Sequence, residues 1–136
     1  MIETKYKTVM LIDDNEIDNL INQKMIEASN LANRIYTHSG AKSAVEFLKN
    51  IEKVDDGTGG ILPDLIFLDI DMPLMDGFQF LEEFGKLSEK TRAHCKVIML
   101  TSSVNQRDIK QATASDHVMS YINKPLSQSN LAELSV

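Results

Sequence analysis

The sequence predicts an α/β fold, a single doubly wound sheet of five parallel strands with helices on both faces. Three observations lead there. Short apolar runs alternate along the chain with segments whose apolar residues recur at helical spacing. The runs Val9-Met10-Leu11-Ile12 and Leu65-Ile66-Phe67-Leu68 contain no polar alternation, the pattern of strands covered on both sides. Each run is also followed by a helical segment, the crossover that parallel neighbours require.

The elements follow in order. Residues 8–12 form the first strand. Ile17, Leu20, Ile21, Met25 and Ala28 recur at helical spacing and predict a helix over 16–29. A short strand is expected over 34–37, then a helix over 41–53 with Ala44, Val45, Leu48 and Ile51 on one side. The acids and glycines of Asp55-Asp56-Gly57-Thr58-Gly59-Gly60 break both periods and read as a loop; no Lys-Ser/Thr helix start follows to make it a phosphate cradle. A strand over 65–69, a turn over 72–77 and a helix through Leu81, Phe84 and Leu87 come next. Residues 96–100 and 118–122 read as strands four and five, with a polar helix over 106–114 between them. A closing helix over 128–134 has Ser127 as its cap.

With 136 residues the chain suits one domain, and no output domain is expected after it. Its 43% apolar and 25% charged residues are ordinary for a globular protein, and no segment approaches a membrane span. A formal net charge of −6 and the lack of any basic run oppose nucleic-acid binding. Cys95 stands alone, so no disulfide framework exists, and a reduced, cytoplasmic setting is expected with Cys95 inert. His38, His94 and His117 lack metal-ligand spacing, and the methionines read as packing.

The polar residues that matter sit where strands end. Asp13 and Asp14 close the first strand, Asp69 the third, Thr101 and Ser102 the fourth, and Lys124 lies just past the fifth. In open α/β sheets ligands bind outside the carboxyl ends of the strands, so these groups converge. Three carboxylates in one place repel one another unless a cation or a phosphate-chemistry role accounts for them. Mg²⁺ suits such an all-oxygen site, and the main-chain carbonyl of Asp71 adds a further ligand. Asp69 then reads as a nucleophile that forms an aspartyl-phosphate, with Lys124 and Thr101 serving the phosphoryl oxygens.

These residues also carry a family likeness. Leu11-Ile12-Asp13-Asp14-Asn15, Pro63 through Asp69, Met72-Pro73-Leu74-Met75-Asp76-Gly77, Val97 through Ser102, and Tyr121-Ile122-Asn123-Lys124-Pro125 appear in the order seen in receiver domains of two-component response regulators. The chain resembles that family, in its stand-alone, chemotaxis-regulator-like form, over nearly its whole length. The resemblance implies the flavodoxin-like strand order 2-1-3-4-5. It implies Asp69 as phosphoacceptor, Asp14 as direct Mg²⁺ ligand, Asp13 acting largely through water, and Asp71 offering its carbonyl. It implies Thr101 as the switch hydroxyl, Tyr121 as the aromatic whose rotamer reports the state, and Lys124 as partner of the acyl phosphate, aimed by a cis bond to Pro125. The implied partners are a sensor histidine kinase or histidine phosphotransfer protein and an unidentified downstream protein.

Two departures from the family stand out. Residues 113–117 lack the usual Gly-Ala pair, and the stretch from Thr101 to Lys124 is about one residue longer than is common. Asp76-Gly77 reads as turn and cap rather than site. An enzyme alternative also exists, because Asp69-Ile70-Asp71 matches the Asp-x-Asp pair of haloacid-dehalogenase-type phosphohydrolases. Those enzymes carry their second acidic pair after the lysine, whereas Asp13-Asp14 comes first here, and the chain is short for that fold.

Overall fold

A computed structural model describes residues 5–54 and 62–134. The strands β1 (Tyr6–Ile12), β2 (Ala32–His38), β3 (Leu65–Leu68), β4 (Lys96–Thr101) and β5 (Val118–Asn123) form one parallel sheet in the order β2-β1-β3-β4-β5. The helices are α1 (Glu16–Ser29), α2 (Ala41–Val54), α3 (Gly77–Phe84), α4 (Glu89–His94), α5 (Gln106–Thr113) and α6 (Gln128–Glu133). The glycine-rich loop expected over 55–60 lies outside the described residues.

The central strands bury both faces, and the period of two along each strand divides the core. Met10, Ile12, Ile66 and Leu68 pack with Ala44, Val45 and Leu48 of α2 and Phe80 and Phe84 of α3. Val9, Leu11, Leu65 and Phe67 face the other way, onto Ile26 of α1 and Leu131 of α6. Asp64 ties the lower ends of the strands together. Its carboxylate accepts from the Lys7 and Thr8 amides at 2.8 and 3.2 Å and lies 2.8 Å from His94 Nε2.

Four expectations need correction. The apolar stripe that predicted α1 does not face the core: Ile17, Leu20 and Ile21 are 69%, 55% and 46% exposed, while Asn19, Asn22 and Ile26 are buried. Hydrogen bonds set this rotation. Asn19 Nδ2 donates to the carbonyl of Asp13 at 2.9 Å and more weakly to that of His38 at 3.4 Å, clamping α1 to the ends of β1 and β2. The third helix stops at Phe84, leaving Leu87 beyond its end. A further short helix, α4, follows it, capped by the Ser88 hydroxyl but without an apolar stripe for periodicity to find. Strand β3 ends at Leu68, which leaves Asp69 outside the ladder.

The stretch from Thr101 to Lys124 includes β5, and the pairing of β5 with β4 is irregular. Val97 pairs with Val118 and Ile98 with Ser120, so Met119 bulges from β5 and is half exposed.

Cys95 is buried, and burial, followed by the charges of Asp64 and Glu52, pushes its thiol up to about 12. A thiol-reactive disulfide reagent at about pH 8 is expected to leave Cys95 unmodified in the native protein and to modify it fully after unfolding. Rapid native modification would contradict the buried position.

Candidate functional site

The chain passes from β1 outward to β2, then returns to β3 on the other side of β1, which makes the β1/β3 boundary the switch point of the sheet. Ile12 pairs with Leu68, so the next residues, Asp13 and Asp69, emerge side by side. The Asp69 amide donates to the Ile12 carbonyl at 3.0 Å and the Asp13 amide to that of His38 at 3.1 Å. Asp13 and Asp69 are buried while Asp14 is exposed, and one carboxylate oxygen of each lies within 4.8 Å of the other two.

Lys124 joins them from the far edge of the sheet. Its amide donates to the Thr101 carbonyl at 2.9 Å, and its peptide bond to Pro125 is cis, as the resemblance implied. The ammonium lies 2.5 Å from Asp13 Oδ2, 2.8 Å from Asp18 Oδ2 and 3.4 Å from Asp69 Oδ2. Burial works against its charge, but hydrogen bonds to Asp13 and Asp18 and the charges of Asp69 and Asp13 outweigh that and hold its pKa above the usual lysine value. Asp69 moves the opposite way from an ordinary paired carboxylate. Burial raises its pKa, the Thr101 hydroxyl lowers it, Asp13 raises it, and Lys124 and the Ile70 amide lower it; the balance stays above the normal Asp value.

Thr101 is fully buried and its hydroxyl also accepts from the Ser103 amide at 3.3 Å. Tyr121 is partly buried on β5 and donates its hydroxyl to the Ser103 carbonyl at 2.9 Å, so both side chains grip one short loop. Asp71 has an exposed side chain and stays out of the carboxylate cluster. Asp76 caps α3 in a reciprocal box with Gln79, as its turn-and-cap reading expected.

Sequence reasoning missed two neighbours of this site. Asp18 holds Lys124 from the first turn of α1. Gly77 packs directly on the main chain of Asp69, so close that a Cβ there would stand 2.5 Å from the Asp69 carbonyl oxygen. At the rim Leu74 is 98% exposed with φ 70°, a left-handed conformation that branched or bulky side chains disfavour.

The sequence family of response regulator receiver domains matches residues 9–135. The chain belongs to that family. Among similar proteins, the probable methanogenesis regulatory protein FilR2 of Methanothrix harundinacea is 32% identical over 123 residues, covering 90% of this chain and 75% of FilR2. The chemotaxis protein CheY of Halobacterium salinarum is 27% identical, over 93% of this chain and 92% of its own. The crystal structure of a two-component response regulator from Cytophaga hutchinsonii superposes with a TM-score of 0.85 at 29% identity, covering 95% of this receiver domain and 93% of that chain. A receiver protein from Dyadobacter fermentans gives 0.80 at 32% identity, over 94% of each chain. The strand order is the receiver order, and no helix among the described residues is long and apolar enough to cross a membrane.

Proposed function

We propose that this receiver domain is a phosphoacceptor switch in which Asp69 takes a phosphoryl group from the phosphohistidine of a sensor histidine kinase or a histidine phosphotransfer protein. The observation that carries the proposal is the company of one carboxylate. Asp69 lies against an ammonium, a buried hydroxyl and two further carboxylates at once. A nucleophile, donors for phosphoryl oxygens and an all-oxygen cation site therefore share one cleft.

Asp13, Asp14 and Asp69, with the main-chain carbonyl of Asp71, would hold Mg²⁺. The donor set fits that ion: every ligand is a hard oxygen, and the exposed Asp14 leaves one side open to water. When bound, the ion supplies positive charge against the phosphoryl oxygens. An Asp69 oxygen forms the bond to phosphorus as the P–N bond of the donor breaks, its electron pair leaving with the imidazole. Lys124 and the Thr101 hydroxyl take the phosphoryl oxygens. Because Thr101 and Tyr121 both bond Ser103, movement of Thr101 reaches Tyr121 and the exposed Val104 beside it.

Ile17, Leu20 and Ile21 give the donor an apolar landing next to the acids, which explains an apolar stripe that the core does not use. A downstream protein then reads the altered surface by contact. The single unpaired cysteine suits a cytoplasmic setting.

The test is incubation with acetyl phosphate and Mg²⁺ followed by intact mass. One phosphoryl group per chain, absent when the metal is chelated, is expected. Many turnovers on a phosphate monoester would instead establish the haloacid-dehalogenase-type reading. That reading also needs the Asp71 carboxylate as an acid beside Asp69, and Asp71 stands outside the cluster.

A further inference from the structure

We propose that Asp18 is a positioning residue that gives the Lys124 ammonium a second seat, so that Asp13 can release Lys124 when a divalent cation binds. The inference rests on the reading of Asp13, Asp14 and Asp69 as a Mg²⁺ site.

Both oxygens of Asp13 are engaged by groups of the chain itself. Oδ1 accepts from the Asn15 amide at 2.9 Å and Oδ2 holds Lys124 at 2.5 Å. A cation drawn to Asp13 therefore meets an ammonium already there, and the two like charges repel. The Lys124 ammonium is hydrogen-bonded to Asp13 and Asp18 and lies within ion-pair distance of Asp69. Asp13 and Asp69 both belong to the cation cluster, and Asp18 does not. Among the described residues, Asp18 is thus the one ion-pair partner of Lys124 that lies outside the cation cluster.

Its position is fixed independently. Asn15 caps α1, its side-chain oxygen accepting from the Ile17 and Asp18 amides at 3.0 and 3.1 Å, and this holds Asp18 in the first turn over the site. There is also room for the lysine to shift. Asp18, Ile21, Asn22, Ser102, Lys124 and Pro125 line a cleft of about 200 Å³ on the side of Lys124 where Asp18 stands. Asp18 accordingly governs how readily the cluster exchanges an ammonium for a metal ion.

The experiment is a double-mutant cycle read by calorimetric titration with Mg²⁺ alone, using the wild type, Asp18→Asn, Lys124→Gln and the double variant. Asp18→Asn is expected to weaken Mg²⁺ binding by roughly two- to fivefold, the range of a partly exposed ion pair. Lys124→Gln is expected to tighten it by removing the competitor. In the Lys124→Gln background Asp18→Asn is expected to change the affinity far less, because only screened long-range charge remains. An equal loss in both backgrounds, or none in either, overturns the proposal, since Asp18 would then act as distant charge or not at all.

A second readout needs no change at Lys124. With saturating Mg²⁺, acetylation of Lys124 followed by mass spectrometry is expected to stay slow in the wild type and to become several-fold faster in Asp18→Asn, where the displaced ammonium has no seat. Equal rates would overturn the proposal. A wild type that binds no Mg²⁺ would instead refute the metal reading itself, a distinct failure.

Discussion

Asp69→Asn is expected to take up no phosphoryl group from acetyl phosphate and Mg²⁺ while melting no lower than the parent. The two halves of this result have one cause. Asp69 is the carboxylate with the nucleophilic oxygen, and its environment disfavours its charge: burial and Asp13 together outweigh Thr101, Lys124 and the Ile70 amide. Asn removes the nucleophile and the unfavourable charge, and its oxygen can still accept from the Ile70 amide, now at 2.9 Å. The linkage has a definite sign. A raised native pKa means that the folded state keeps its proton where the unfolded chain has lost it, so this group's contribution to stability falls as pH rises. The window opens at the ordinary value of 3.8 and closes at the raised native one. In metal-free protein the stability difference between Asp69→Asn and the parent should therefore grow in favour of Asn across that window and then level off. Chemical denaturation at a series of pH values checks this. Retained labelling in the folded variant would remove Asp69 from the acceptor role.

Gly77→Ala is expected to destabilise the fold by about 2 kcal/mol and to slow phosphoryl uptake although every polar site residue remains. A Cβ at position 77 would stand 2.5 Å from the Asp69 carbonyl oxygen, 3.0 Å from Ile70 Cα and 3.2 Å from the Asp69 carbonyl carbon. All three are main-chain atoms at the end of a central strand, with no flexible tip to swing aside. Overpacking of this kind costs about 3 kcal/mol at its usual upper end, and the better helix propensity of Ala returns about 1. Relief requires α3 to move off β3, which strains the bond from the Gly77 amide to the Ile70 carbonyl, 2.9 Å in the native fold. That bond anchors the turn carrying Asp71, so the acceptor and its neighbours shift together. Urea unfolding with an unchanged slope gives the stability. A midpoint equal to the parent's would mean that the turn yields more easily than its main-chain contacts imply.

The two predictions differ in how visible their residues are in the sequence. Asp69 announces itself, because an acid closing an unbroken apolar run has only the carboxyl edge of a buried parallel sheet to occupy. Gly77 does not. Asp76-Gly77 is common turn chemistry, and only the approach of α3 to the Asp69 main chain shows why no Cβ fits. Asp18 is similar: an acid in a first helical turn suits the helix dipole anywhere, and its hold on Lys124 spans 106 positions of sequence.

The sequence by itself determined the strands, the parallel α/β class and the gathering of Asp13, Asp14, Asp69, Thr101 and Lys124 at the sheet edge. Those depend on local pattern, namely an apolar run, its length and the polar residue that ends it. Tertiary structure alone decided the rotation of α1, where two hydrogen bonds from Asn19 turn Ile17, Leu20 and Ile21 to solvent against the pull of their own periodicity. It alone decided the sharing of one ammonium among Asp13, Asp18 and Asp69. Periodicity marks an apolar face without saying what covers it. A residue's charge likewise leaves open which of several carboxylates a long, flexible lysine will reach. Both questions are settled by distances between elements far apart in the chain, and those exist only once the sheet has assembled.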